Sequence, residues 1–302
     1  MEPLAKTAQR KRHGRFTGLS VYLWILPSLL LIVAIIFVPV FELFRTSFSE
    51  VTRSGLVKGW NDFQNYLDLF REENLLLVLR NTLVWTVVVV GVATVLSMGI
   101  ALLLNRRFFG RRVVRSVIIF PWATSLIITA SVWKWIFDYN YGTLNLILKF
   151  FHLIGANVYW LAQPSSSFPV LLWAGIFDTI PFTTIVILAG LQSIPDVLYE
   201  SADIDGAGGY RKFAHITLPM LKQPLTVCTV LNIIYVFNSF PIIWTITRGD
   251  PLNQTDTVVT YLYKLAFQVN KMGQAASISV LSFLFLLFFS ILYVTLTQER
   301  KK

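Results

Sequence analysis

Glu200, Asp203 and Asp205 stand in one short polar stretch, interleaved with the small residues Ser201, Ala202, Gly206 and Ala207. Carboxylates at that density can pair with cations. Small side chains let the backbone of another protein approach closely. The chemistry on offer is docking, although an ordinary amphipathic surface loop fits these residues equally well. Nucleotide binding does not fit. The nearest approach to a phosphate-binding loop, Gly206 to Phe213, has Arg211 where the second Gly belongs and Phe213 where Ser or Thr must hold Mg²⁺. His13, His152, His215 and the single Cys228 are scattered without metal-ligand spacing, so no metal site and no disulfide framework are expected. Nor is there a clustered nucleophile and base, and no catalytic residue is expected.

A second set of polar residues lies inside apolar runs. Asp178 is the acidic residue near the middle of one run, and Asn232, Tyr235, Asn238 and Ser239 lie in another. On a continuous helix these last four share an arc of about 120°. Polar groups inside a membrane span are costly and usually face an internal cavity. They can also serve only to hold helices together.

These groups need a scaffold, and composition says which. The 302 residues are 55% hydrophobic and 14% charged, and the mean hydropathy is +0.63. Soluble domains carry about 25% charged residues, so a bilayer is the solvent this composition suits. A helix needs about 20 apolar residues to cross the hydrocarbon core. Six stretches qualify: residues 21–44, 83–104, 116–137, 168–191, 225–247 and 275–297. The second, fifth and sixth contain no charged residue, and the third carries Lys134 near its end. The shorter stretch Leu144 to Ile154 holds Lys149 and His152 and reads as an interfacial helix.

The first apolar run follows a basic tail, residues 1–20, but is too long for the core of a signal peptide and reads as an uncleaved span. Lys and Arg favour cytoplasmic loops. Arg106, Arg107, Arg111, Arg112 and Arg115 crowd one short connection, and with the basic tail and Arg300, Lys301 and Lys302 they predict both termini inside. The net charge of +10 is thereby accounted for by membrane topology, and nucleic acid is not an expected partner.

The expected fold is therefore all-α and integral to the membrane, a six-helix domain over residues 21–298. Its longest inner connection, residues 192–224, has internal structure. Pro195 and Asp196 suit the first turn of a helix, and Val197 to Asp205 reads as that helix. Gly206, Gly208 and Gly209 then break it, and Tyr210 to Thr217 forms a second helical arm running into Leu218-Pro219.

Glu200-Ser201-Ala202, three residues, Gly206, nine residues, then Ile216-x-Leu218-Pro219 resembles the EAA loop of the permeases of ATP-binding-cassette importers. Asp205-Gly206-Ala207 matches the Asp-Gly-Ala usual inside that loop, and Ser201 departs from the usual Ala. Other stretches resemble the carbohydrate-uptake, maltose-type branch. Pro121 with Val132 to Phe137 and Tyr141 to Asn145 resembles its third span and following loop. Thr247 to Pro251, Thr255, Tyr261 to Tyr263 and Ala266-Phe267 resemble its last outer loop, and Gly273 with Ala275-Ala276 the start of its final span.

The resemblance implies a type I importer permease in a bacterial or archaeal cytoplasmic membrane, multi-pass and without enzymatic activity of its own. It implies that Glu200, Ser201, Ala202, Asp205, Gly206 and Ala207 form a coupling surface for a dimer of separate ATPase subunits, with Leu218 and Pro219 fixing the junction to the fifth span. ATP and Mg²⁺ would be bound by that partner, and no cofactor by this chain. A second homologous permease and an extracytoplasmic solute-binding protein complete the implied assembly. A sugar, polyol or glycerophosphate would pass near Trp133, Asp178, Asn232, Tyr235 and Asn238. Trp133, Trp135 and Trp173 could stack on sugar rings or mark the membrane interface. The outer loop from Arg45 to Arg80, with Trp60, Phe63 and Tyr66, could dock the binding protein or simply cap the helices. The competing reading is an ion-coupled secondary transporter, which would more often show ionisable relays and matched interrupted helices.

Overall fold

The computed structural model describes residues 18–297. Most of the expected basic tail, and Arg300, Lys301 and Lys302, lie outside the described residues. The chain separates at Arg45/Thr46 into two units. The first holds the N-terminal helix, α1 (Gly18–Ile32), continued through a π turn (Val33–Phe37) into α2 (Val38–Ser47), whose last two residues fall past the division.

The second unit opens with a hairpin, β1 (Ser49–Val51) and β2 (Val57–Trp60), antiparallel with Ser49 opposite Trp60. The short helix α3 (Gln64–Phe70) follows. Phe48 packs its ring against Trp60, Phe63 and Tyr66 at centroid distances of 5.2, 5.2 and 5.3 Å. These aromatic residues therefore pack together.

Two long helices form the spine, α4 (Leu75–Asn105) and, further along, a partner that closes directly on it. Between them lie α5 (Arg111–Ile119), a 3₁₀ turn (Phe120–Ala123), α6 (Leu126–Ile136) and α7 (Thr143–Phe150). The partner is α8 (Pro164–Gln192). Gly175 of α8 permits the approach: a Cβ there would lie 2.6 Å from the Trp85 ring of α4. The indole N–H of Trp85 in turn donates to the carbonyl of Val236 at 2.8 Å. Trp85, Val89, Leu171, Ala174, Ile242 and Ile243 form the buried centre around this contact.

The chain then runs through α9 (Asp196–Ile204), α10 (Gly209–Lys212), a π turn (Phe213–Thr217) and α11 (Leu218–Met220). Next come α12 (Lys222–Phe237), α13 (Phe240–Ile246), α14 (Val258–Tyr263), a π turn (Lys264–Gln268) and α15 (Met272–Thr297). Among the described residues four helices are long and apolar enough to cross a membrane, Trp24–Ser47, Leu75–Asn105, Pro164–Gln192 and Met272–Thr297, and two bent pairs raise the number to six if each counts as one crossing.

The first bend and a break after Phe237 interrupt the straight spans expected over 116–137 and 225–247, whereas the second bend lies ahead of residue 225. Arg111–Ala123 meets Leu126–Ile136 at 98°. Pro121 removes a backbone donor there, and Thr124 and Ser125 turn extended, with ψ of 160° and 135°. Gly209–Met220 meets Lys222–Phe237 at 63°. A further break follows Phe237, where Ser239 has ψ 68° and Pro241 cannot donate to the Phe237 carbonyl.

Candidate functional site: a capped helix and a polar seam

Helix α9 is held as a projecting element by its two ends. At its C-terminus Gly206 takes φ +69°, a left-handed conformation that side chains resist. The N–H of Ala207 donates to the Ala202 carbonyl at 2.8 Å and that of Gly206 to the Asp203 carbonyl at 3.1 Å. Together these make a Schellman cap, which satisfies carbonyls that the helix end would leave open. The Asp-Gly-Ala of the sequence is thus a helix terminator, with Gly supplying the one backbone angle the cap requires.

Helical geometry then sorts the side chains of α9 by face. Val197, Glu200, Ser201 and Ile204 fall on one side, and all are exposed, Ile204 at 88%. Tyr199, Ala202 and Asp203 fall on the other. The Tyr199 hydroxyl meets that of Thr217 at 2.9 Å, and Asp203 pairs with Lys212. Ala202 and Ala207 are half-buried, while Asp205 and Gly206 are exposed. Leu218 and Pro219 are exposed at the turn into α12.

Tyr199 also anchors the loop to the spine. It packs with Ile216 on a buried cluster of Ala101, Leu104, Ile187, Leu188, Leu191 and Leu221. Gly190 admits Leu221 and Pro224 there, because a Cβ would lie 2.8 Å from the Leu221 side chain. Sequence reasoning picked out the acidic and small residues of the loop and passed over Val197, Ile204 and Tyr210. Tyr210 is 83% exposed. The missed signal is the presence of large apolar side chains on the outward face of an otherwise polar helix.

The polar groups within the spans divide into two places. Asn232 is buried and donates to Thr183 Oγ1 at 2.9 Å, while the Tyr235 hydroxyl donates to Asp178 Oδ2 at 2.8 Å. These bonds join α12 to α8. Asp178 is 7% exposed and Tyr235 46%, so the tyrosine ring covers the carboxylate and presents its own surface outward. Trp133 of α6 packs edge-on to Phe177, the neighbour of Asp178 in α8, at 5.2 Å and to Trp173 at 6.3 Å. Asn238 departs from them. The helix ends at Phe237, and Asn238 lines a separate cavity of about 580 Å³ with Ile234, Val259 and Ser279. Ser239 is buried and its hydroxyl has no partner among the described residues.

At the opposite end of α12 and α13 from α9, the last connecting loop is tied to the spine. Asn81 donates to the carbonyls of Gln254 and Asp256 at 2.9 and 3.1 Å, and Thr82 Oγ1 accepts from the N–H of Val258 at 2.8 Å. Asp256 is fully buried and paired with Lys264 at 2.7 Å. Burial nonetheless raises its carboxyl above the usual range, with the lysine opposing. Burial, with Glu72 and Asp256 nearby, pushes the Tyr261 phenol up to about 12. No group of three or more potential metal ligands occurs among the described residues.

Residues 93–302 match the family described as "Binding-protein-dependent transport system inner membrane component". The chain belongs to that family. It is a multi-pass permease of the inner membrane and a transport subunit, not an enzyme. A probable ABC transporter permease protein of Brucella suis is 46% identical over 281 residues, covering 93% of this chain and 97% of the relative. The trehalose/maltose transport system permease MalF of Thermococcus litoralis is 34% identical, covering 93% and 94%. The sulfoquinovosyl glycerol permease SmoG of Agrobacterium fabrum is 33% identical, covering 88% and 86%. The fold is shared with the crystal structure of a bacterial ABC transporter that imports the acidic polysaccharide alginate, with TM-score 0.81, 24% identity and coverage of 93% of this chain and 96% of that one. Family membership sets aside the ion-coupled secondary transporter, even though the spans are interrupted.

Proposed function

We propose that this permease forms half of a translocation pathway for a carbohydrate and couples it to a separate ATPase through α9. The observation that carries the reading is the division of α9 into faces. Val197, Glu200, Ser201 and Ile204 point away from the protein, while Tyr199 and Asp203 bind the helix to the arm that leads into α12. A partner pushing on the outward face would move α12, and with it Asn232 and Tyr235. Both termini and the α9 loop then lie on the cytoplasmic side. A second permease, two ATPase subunits and an extracytoplasmic binding protein complete the machine.

Support for a carbohydrate comes from the relatives, whose names include trehalose/maltose, sulfoquinovosyl glycerol and diacetylchitobiose. The half-exposed Tyr235 and the Trp133 cluster offer aromatic surface of the kind sugar rings stack on. Asp178, Asn232 and Asn238 supply polar partners along the way.

The test is ATPase activity in material co-purified through a tag on this chain, expressed with its partner subunits. Glu200→Lys puts a cation on the outward face and is expected to abolish coupled ATPase activity and uptake while leaving membrane insertion intact. Wild-type uptake by that variant contradicts the coupling role.

A further inference from the structure

Five arginines, Arg106, Arg107, Arg111, Arg112 and Arg115, fall within ten residues between α4 and the 3₁₀ turn. None forms an ion pair among the described residues. Arg106, Arg107, Arg112 and Arg115 are exposed. Such a charge density without acidic neighbours repels itself, so it calls for an anion from outside the chain.

The shape of the segment says which anion. Helix α5 sets Arg111, Arg112 and Arg115 within an arc of about 100°, and Val113 and Val117 on the opposite side. Val113 and Val117 are 66% and 63% exposed, Phe120 is 70% exposed and Phe109 is fully exposed. The segment also turns 98° from α6. A basic amphipathic helix with an exposed apolar side is of the kind that lies in the plane of a bilayer surface. Its foot is fixed, since Ile118 packs on the buried cluster shared by Leu104, Leu191 and Tyr199. The segment and α9 are therefore at the same end of the spine.

We propose that residues 106–120 form a binding surface for the headgroups of anionic phospholipids. The arginines take the phosphates, and Phe109, Val113 and Val117 enter the acyl boundary beneath them. This surface does not depend on the proposed function, which decides only that the leaflet is the cytoplasmic one. Lipid held there would brace the bent third span beside the docking helix.

The test uses the assembled transporter in nanodiscs of phosphatidylcholine mixed with phosphatidylglycerol, with the retained lipids counted by native mass spectrometry. Wild type is expected to retain phosphatidylglycerol preferentially. The quadruple variant R106Q/R107Q/R112Q/R115Q is expected to lose that preference by about tenfold or more, because each basic side chain at an anionic surface contributes about fivefold. Equal preference in wild type and variant overturns the proposal. So does unchanged lipid preference with loss of a co-purifying protein subunit, which would make this a protein-docking surface. Should the variant fail to insert, a spin label at Phe109→Cys in a Cys228→Ser chain decides. A label shielded from water-soluble relaxation agents supports the proposal, and a fully accessible one contradicts it.

Discussion

The hydroxyl of Tyr199 meets that of Thr217 across 2.9 Å, joining the inward face of α9 to the arm that continues into α12. In the proposed mechanism this is a short mechanical path from the exposed face of α9 to the polar seam. Tyr199→Phe removes the bond and keeps the packing. The variant is expected to bind its ATPase normally but to import less solute per ATP hydrolysed, measured by paired uptake and phosphate release in proteoliposomes.

Gly206 holds a left-handed backbone angle within the Schellman cap. Substitution by Ala places a Cβ where an L residue pays about 1–2 kcal/mol. Gly206→Ala is expected to loosen the end of α9 and weaken ATPase association, while the thermal midpoint of the membrane domain changes little. Co-purification yield and differential scanning fluorimetry separate the two effects.

Much of this was legible in the sequence, and what was not has identifiable causes. Hydropathy located the apolar spans because length and polarity are what it measures. It could not see the breaks after Phe120 and Phe237, since the apolar run continues through both. Pro121 and Pro241 were the available signals. The shared arc assigned to Asn232, Tyr235, Asn238 and Ser239 assumed an unbroken helix; Asn238 still caps α12, and the chain leaves the helix at Ser239, with ψ 68°. The helix and its glycine break were legible from Pro195, Asp196 and Gly206, whereas which side chains of α9 face outward depends on the contacts of Tyr199 and Asp203. The Gly175–Trp85 approach joins residues ninety positions apart and leaves no local trace.

That approach makes a stability prediction. Gly175→Ala introduces a Cβ 2.6 Å from the Trp85 ring, which is locked by its bond to Val236. Overpacking of this kind costs about 1–3 kcal/mol. A lowered melting temperature in detergent is expected, with partial recovery in the double variant Gly175→Ala/Trp85→Phe.

Burial raises the Tyr261 phenol to about 12 from its ordinary value of 10.0. A folded-state value above the unfolded one means that this group's stabilising contribution is complete below pH 10 and is lost as pH climbs towards 12. Alkaline titration by tyrosinate absorbance is expected to show a late-ionising component that disappears in Tyr261→Phe.

Cross-linking from α9 tests the coupling account most directly. Single cysteines at Val197, Ser201 and Ile204, and at Tyr199 and Asp203, are introduced into a Cys228→Ser chain expressed with its partner subunits. The account predicts cross-links to the ATPase subunit from the first three positions and none from the last two. Absence of any cross-link, or a pattern favouring Tyr199 and Asp203, would contradict it.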